Sequence, residues 1–202
     1  RDLTIRTALL EARFLWGEQS LFLEMRKAFS DQVISGATME FVTGKLAERD
    51  ARHEKMGDSR YYVEPNIKDG KGGLRDLQTL YWIAKFAYEV DSVADLVSRD
   101  VLTKAEARNF SKDQNFLWSV RFHLHYISGR AEERLTFDVQ TQIASRMGYA
   151  ERAGASGVER FMKHYYIVAK DVGDLTRIFC AAIEAENMSK PIIRLPRLRR
   201  SR

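Results

Sequence analysis

Apolar side chains recur at intervals of three and four residues along nearly the whole chain. In one segment they are Leu74, Leu77, Tyr81, Ala84 and Tyr88, a spacing that places them on one face of an α-helix. No alternation of apolar and polar residues, as in a half-buried strand, extends beyond three positions, and no segment is repeated. We therefore expect an all-α protein, a helical bundle of about seven to eight helices with a Gly-rich loop before a central helix.

Glycine, serine and proline residues divide this pattern into predicted helices. The helices cover about residues 2–16, 18–33, 38–53, 74–88, 92–98, 103–127, 137–147 and 158–186. Thr103 and Glu106 form a capping box at the start of the sixth helix, and Thr136 is a candidate cap for the seventh. We assign residues 1–188 to one helical domain and residues 189–202 to a basic linker.

The apolar pattern also predicts which parts of the helices are buried. Residues 116–126 are apolar nearly all round, which predicts the centre of the core. The inward side of the first helix is predicted to comprise Ile5, Ala8, Leu9, Ala12, Leu15 and Trp16. That of the last helix is predicted to comprise Phe161, Met162, Tyr165, Val168, Val172, Leu175, Ile178, Phe179, Ala182 and Ile183.

The composition favours a globular protein of the cytoplasm. Hydrophobic residues make up 45% of the 202 residues and charged residues 30%, so a core can form. The net charge is +5, but five arginines lie between Arg194 and Arg202, which favours a solvated linker over an arm that binds nucleic acid. The single cysteine, Cys180, is expected to be buried, in keeping with a reducing compartment. No apolar run reaches the ~20 residues that cross a bilayer, and the N-terminus lacks signal-peptide character.

Residues 64–78, EPNIKDGKGGLRDLQ, are the most distinctive stretch of the chain and hold three of its twelve glycines. A Gly-rich loop that opens onto a helix offers backbone N–H groups and the positive end of the helix dipole to an anion. Lys68, Lys71 and Arg75 add cationic donors at the same place, which suits a phosphate. In the alternative, the glycines only make a tight turn, and Asp69 or Asp76 caps the helix. The motif is not a P-loop, because no Gly-Lys-Ser/Thr follows at the required spacing.

Other polar residues do not form a complete active site. His123 and His125 are two residues apart, so on a helix they point in different directions and cannot share a metal with good geometry. No Gly-Ser followed by Asp-x-Asp, the pattern that places two metal-binding carboxylates in nucleotidyltransferases, occurs in the chain. Arg121 lies in an apolar segment, where a structural polar network is favoured over contact with a substrate. Its candidate partners are Glu64, Asp76, Glu132, Glu133 and Asp138.

The stretch from Glu64 to Trp82 resembles the signature of the helical domain in bacterial PII uridylyltransferases, the bifunctional uridylyltransferase and uridylyl-removing enzymes of nitrogen regulation. Supporting blocks lie at residues 7–13, 116–125, 134–140 and 158–162. The resemblance covers about residues 2–186. The related adenylyltransferase of glutamine synthetase matches these residues less well.

This resemblance implies a multidomain parent enzyme that transfers UMP from UTP to a tyrosine of the PII signal protein and removes it again in response to glutamine. It implies an N-terminal nucleotidyltransferase domain that holds Mg²⁺, this helical domain, a metal-dependent HD hydrolase domain and C-terminal ACT domains. Residues 1–17 would join the helical domain to the nucleotidyltransferase domain. We expect Mg²⁺ and UTP to be bound in the parent, and the chain alone to hold neither and to be inactive.

The resemblance also implies that the loop faces the nucleotide cleft. The cationic side chains and the glycine backbone would neutralise phosphate charge, and the remaining polar side chains would orient the cations or contact the nucleotide. The predicted binding residues are Asn66, Lys68, Lys71, Gly72, Gly73, Arg75 and Asp76. In the alternative, the chain is a non-catalytic structural or interaction domain, on which the motif docks the transferase domain while PII binds another face.

Overall fold

A computed structural model describes residues 2–152 and 154–188 of the chain. The α-helices of this part are α1 (Leu3–Leu10), α2 (Gln19–Phe29), α3 (Thr38–Lys55), α4 (Leu74–Tyr88), α5 (Val93–Ser98), α6 (Lys104–Ser128), α7 (Phe137–Arg146) and α8 (Gly157–Met188). A π-helical turn, Ser30–Ile34, continues α2. No strand occurs among the described residues, and the predicted all-α bundle is confirmed. The predicted linker at 189–202 lies outside the described residues.

Helix α4 lies at the centre of the bundle, where it packs against α3, α6 and α8. Its side chains Leu77 and Ile83 are fully buried, as are Leu117 on α6 and Phe161 on α8. Burial of each such side chain contributes about 1.5–3 kcal/mol. The glycine-rich loop leads directly into α4, so the core anchors the end of the loop.

The first helix is shorter than predicted, and its apolar stripe faces outward. Helix α1 ends at Leu10, and Trp16, which was expected to be its last inward residue, is 94% exposed. Ile5 is also exposed, whereas Arg6 is buried, and its Nη2 lies 2.8 Å from Oε1 of Glu40 on α3. Contact with α3 and α4 therefore selects the buried side of α1, and helical spacing alone gives the wrong side.

Helix α6 is amphipathic and not apolar all round. Leu117, Val120 and Leu124 are fully buried against the other helices, but Phe122 is 54% exposed and Tyr126 is 81% exposed. The prediction that the whole of 116–126 lies in the core is wrong for this outer side, because the helices that contact α6 cover only the other one. Ile178 on α8 is likewise exposed, against the predicted stripe.

Two predicted helix starts are capped in different ways. Thr103 and Glu106 form the expected capping box: Glu106 N donates to Thr103 Oγ1 at 3.2 Å, and Thr103 N donates to Glu106 Oε2 at 2.8 Å. Thr136 holds the cap position of α7, but its side chain accepts no helix amide. The carboxylate of Glu64 accepts the N–H of Phe137 instead, at 3.0 Å. The first residue of the glycine-rich motif thus fastens the motif to the start of α7.

Candidate functional site

The glycine-rich loop begins as an extended segment and turns at Asn66. An isolated antiparallel bridge pairs Asn66 with Arg134. The Oδ1 atom of Asn66 accepts hydrogen bonds from the backbone N–H of Lys68 at 3.0 Å and of Asp69 at 2.7 Å. This side-chain turn fixes the orientation of the Asn66 amide, because only its oxygen can accept these two bonds.

The backbone N–H groups that an anion would need are already hydrogen-bonded inside the loop. Gly72 N donates to Oδ2 of Asp76 at 2.8 Å, and Gly73 N donates to the carbonyl of Gly70 at 2.9 Å. The next two amides donate to carbonyl groups of preceding loop residues. The loop therefore caps α4 with its own acceptors, and a phosphate could reach these amides only if the loop opened.

Close packing against α8 requires glycine in the loop. Gly72 has a φ of +81°, and a Cβ atom added there would lie 2.3 Å from the carbonyl oxygen of Ala169. A Cβ atom on Gly73 would lie 2.8 Å from the carbonyl oxygen of Ile67. A side chain at either position would push backbone groups apart, so both glycines serve the packing of the loop.

Asp76 lies buried at the base of the loop and joins α3 to α4. Nε2 of His53 lies 2.9 Å from Oδ2 of Asp76, and Arg52 pairs with Oδ1. Burial raises the pKa of Asp76, but the hydrogen bond and charge of His53, the Gly72 amide and the charge of Arg52 outweigh burial and lower the pKa. Asp76 is therefore an ionised structural anchor that also accepts a loop amide, as the helix-capping alternative anticipates.

Lys68 belongs to a second group of charges, centred on Glu133, and Arg75 pairs with Asp69, whose charge also acts on Arg121 of that group. Nε and Nη2 of Arg121 lie 2.9 and 2.6 Å from the two carboxylate oxygens of Glu133, which is thus the acidic partner that Arg121 was predicted to need. Lys68 Nζ lies 3.7 Å from Oε1 of Glu133, and Arg75 Nε lies 3.5 Å from Oδ1 of Asp69. Burial raises the pKa of Glu133, but the hydrogen bond and charge of Arg121 lower it. Arg121 is held firmly by an ionised carboxylate, whereas Lys68 and Arg75 are held loosely.

Lys71 is separated from these two cations and lies at the junction of two clefts. Its Nζ is 2.7 Å from Oδ1 of Asp58. One cleft, of about 660 Å³, is lined by residues that include His53, Asp76 and Lys71, and we call it the His53 cleft. The other, of about 430 Å³, we call the Asn66 cleft. Its polar and charged lining includes Lys55, Arg60, Glu64, Asn66, Lys71, Arg134 and Tyr165.

The predicted binding residues are thus divided among three settings. Gly72 and Gly73 are buried in the loop, and Asp76 is buried at the start of α4. Lys68 lies near Glu133 and Arg75 near Asp69, while Asn66 and Lys71 line the Asn66 cleft. Their role in binding a nucleotide stays a prediction. Two further cleft residues, Arg60 and Tyr165, could not be identified as candidate binding residues from the sequence. Arg60 lies in a predicted turn, and Tyr165 follows the core stripe of α8.

The described side chains form no cluster of metal ligands, and the described helices include no membrane-crossing segment. Within residues 2–152 and 154–188, no three His, Cys, Asp or Glu side chains are grouped so that they could hold a metal ion. Among the described helices, none combines the length and the apolar character that crossing a bilayer requires. We therefore assign no metal ligand to the described part of this chain.

Known proteins match the chain over nearly its whole length. Residues 40–180 match the family model described as GlnD PII-uridylyltransferase. The bifunctional uridylyltransferase/uridylyl-removing enzyme of Azospirillum brasilense is 62% identical over 197 residues, which are 98% of this chain and 21% of that protein. The enzyme of the same name from Rhodospirillum rubrum is 56% identical over 197 residues, again 98% of this chain and 21% of that protein. No solved structure matches the chain.

The chain spans about a fifth of the length of these curated relatives. The matched region of the family model begins in α3, includes the whole glycine-rich loop and ends in α8. It covers more than half of the chain, and the relatives agree with it in name. The chain therefore belongs to the GlnD PII-uridylyltransferase family.

Proposed function

We propose that this chain is the helical domain of a PII uridylyltransferase. The parent enzyme transfers UMP from UTP to a tyrosine of the PII signal protein in the cytoplasm and removes it again in response to glutamine, which controls nitrogen metabolism. The observation that carries the proposal is the 62% identity, over 98% of this chain, with an enzyme named for both activities. In this proposal, nucleotidyltransferase, HD and ACT domains of the same parent flank the helical domain, and the parent's nucleotidyltransferase domain holds Mg²⁺.

The chain's own contribution is a cationic surface formed by Lys68, Arg75 and Arg121. Each of the three cations forms an ion pair with Asp69 or Glu133, so three positive charges are set against two negative charges. Lys68 and Arg75 keep about a third of their side-chain surface exposed, and their ion pairs are longer than a good hydrogen bond. Both cations can therefore turn toward phosphate oxygens at small cost, because loose pairs of this kind contribute only about 0–1 kcal/mol.

UTP turnover of the full-length enzyme tests this role. We expect the double variant Lys68→Ala and Arg75→Ala to raise the KM for UTP about tenfold or more, because two charge-assisted contacts to phosphate are lost. A matched double variant, Lys104→Ala and Arg108→Ala, removes two exposed cations of α6 that lie outside the loop. Unchanged KM and kcat in the loop variant would refute the nucleotide role.

A second candidate function is structural, and one observation favours it. The loop amides and Asp76 are satisfied by partners within the chain, so the motif is built as a rigid unit that could dock the transferase domain or PII. In that case Arg75→Ala should lower the free energy of unfolding of the chain without UTP. The nucleotide role predicts a loss below about 1 kcal/mol, since Arg75 has only the long contact to Asp69 and a place 6.0 Å from the ring centre of Trp82.

A further inference from the structure

The Asn66 cleft carries an excess of positive charge that the proposed nucleotide role does not use. Four cations line it, Lys55, Arg60, Lys71 and Arg134, and its lining includes one carboxylate, Glu64. The difference is a charge of +3, and it remains +2 when the neighbouring Asp58, which holds Lys71, is counted as well. The lining of the adjoining His53 cleft contains four cations and four carboxylates, so that cleft has no such excess.

Glu64 is occupied by other groups and does not neutralise the cleft. Its Oε2 lies 2.9 Å from Nη2 of Arg134, and its Oε1 accepts the N–H of Phe137 at 3.0 Å. Among the described residues, no other cation of the cleft forms an ion pair with Glu64 within 4 Å. A negatively charged ligand would therefore meet cations that have not been neutralised by the cleft's own acid.

Arg60 lies between this cleft and the His53 cleft and lines both of them. Its guanidinium rests against the backbone of α8, where a Cβ atom on Gly173 would lie 2.8 Å from Nη2 and 2.9 Å from Nη1. Within residues 2–152 and 154–188 the side chain of Arg60 forms no hydrogen bond and no ion pair within 4 Å, although its charge acts on the carboxylates of Asp58 and Asp174. Packing thus positions the guanidinium while its N–H donors stay available, an arrangement that suits two parallel bonds to an oxyanion.

Two neutral side chains add donors of defined position. The Oδ1 atom of Asn66 is taken by two loop amides, so the group that Asn66 can offer to the cleft is its Nδ2. Tyr165 is 1% exposed and lines the cleft, and its hydroxyl has no hydrogen-bond partner in the described part of the chain. A buried hydroxyl in this situation gains free energy when a ligand accepts its hydrogen bond.

We propose that the Asn66 cleft is a binding site for a small phosphate-bearing anion, held by Arg60 and Lys71 with the Nδ2 of Asn66 and the hydroxyl of Tyr165. Its volume of about 430 Å³ lies within the ordinary range of small-ligand pockets. The excess of positive charge favours an anion with several charges over a single carboxylate. Lys68 and Arg75 do not line the cleft, so the inference stands apart from the nucleotide role proposed above.

Isothermal titration calorimetry of the 202-residue chain with pyrophosphate tests the site. Arg60→Gln should weaken pyrophosphate binding about tenfold or more, because a charged two-bond donor is lost. The side chain of Arg60 has no hydrogen bond and no ion pair in the described structure, so this change should leave the fold intact. Tyr165→Phe removes a single hydroxyl and should weaken binding about threefold to tenfold. Arg108→Gln removes an exposed arginine on α6, outside the cleft, and should leave binding unchanged.

Titration with UTP in place of pyrophosphate identifies the source of the phosphate group. Equal affinities for UTP and pyrophosphate indicate that the cleft recognises phosphate groups alone. Tighter binding of UTP indicates that a nucleotide is the ligand. Both results support the site. Absence of pyrophosphate binding up to ~10 mM, which corresponds to about −2.7 kcal/mol, would overturn it. An equal loss in Arg108→Gln and Arg60→Gln would also overturn it, because binding would then follow overall charge. Neither outcome depends on the effect of Lys68→Ala and Arg75→Ala on turnover.

Discussion

Asp113 makes the stability of this bundle depend on pH in a way that can be measured. The residue lies on α6 and is 5% exposed, and its Oδ2 has no hydrogen-bond partner among the described residues. Asp171, on α8, adds a second negative charge nearby. Burial, and to a smaller extent Asp171, raise the pKa of Asp113 to about 6, with partial compensation by Lys112.

The direction and size of the effect follow from the two pKa values. Because the folded-state pKa of Asp113 lies above the unfolded value of 3.8, the folded chain binds this proton more tightly than the unfolded chain does. The resulting stability is fully present below pH 3.8 and is lost as the pH rises to about 6. At 1.36 kcal/mol per pKa unit, the ionised Asp113 costs about 3 kcal/mol of folding free energy at neutral pH.

The variant Asp113→Asn removes the charge while keeping the shape of the side chain. We expect urea unfolding at pH 7.5 to show a gain of about 3 kcal/mol over the unchanged chain, with a gain about half as large at pH 5. A matched variant, Asp31→Asn, changes an exposed aspartate in the π-helical turn and should change the free energy of unfolding by less than about 0.5 kcal/mol. Asp171→Asn should produce a smaller gain at pH 7.5, because it removes only the lesser of the two causes.

One result would refute this account of Asp113. If Asp113→Asn changes the free energy of unfolding by the same amount at pH 5 and at pH 7.5, the carboxylate does not titrate between them. Its burial would then be compensated by a partner, and the charge of Asp171 would be irrelevant. A loss of stability at pH 7.5 would lead to the same conclusion.

Three further predictions concern the loop, the helix caps and the core, and urea unfolding measures all of them. Gly72→Ala should destabilise the chain by more than about 3 kcal/mol, because it combines positive-φ strain with a clash against α8. Gly36→Ala, at positive φ in open space, should cost only about 1–2 kcal/mol. Equal losses of stability in the two variants would contradict the clash. Thr103→Ala should cost about 0.5–2 kcal/mol through the lost cap, and Thr136→Ala should cost less, since Glu64 serves that helix start. Leu117→Ala, in a fully buried position, should cost about 2–5 kcal/mol, and a loss below about 1 kcal/mol would place Leu117 outside the core.

Much of the helical architecture could be predicted because its causes are local. Helix α4 was expected at about residues 74–88, and it runs from Leu74 to Tyr88. The capping box of Thr103 and Glu106 forms as expected, since both partners lie within one turn of each other. Burial on α8 also follows the predicted stripe at most positions, with Ile178 as an exception.

Prediction was wrong where burial depends on a neighbouring element. Ile5 and Trp16 have the spacing of core residues, but both are exposed. Ile5 lies on the side of α1 that α3 and α4 leave uncovered, and Trp16 follows the end of α1 at Leu10. Phe122 and Tyr126 are exposed for a similar reason, because the neighbouring helices lie on the other side of α6. Helical spacing shows that a face is apolar, but it does not show whether another element will cover that face.

The sequence by itself determined the helical class, the family and the importance of the glycine-rich loop, since these depend on periodicity and on a long motif. Only the tertiary structure decided how the loop is used. It turns the amides of Gly72 and Gly73 toward acceptors within the loop, and it separates Lys71 from Lys68 and Arg75. The physical reason is that a backbone amide or a cation pairs with the acceptor that folding brings within hydrogen-bond distance. The acceptors used here lie on the loop, on α4, in the turn after α3 and in the segment before α7.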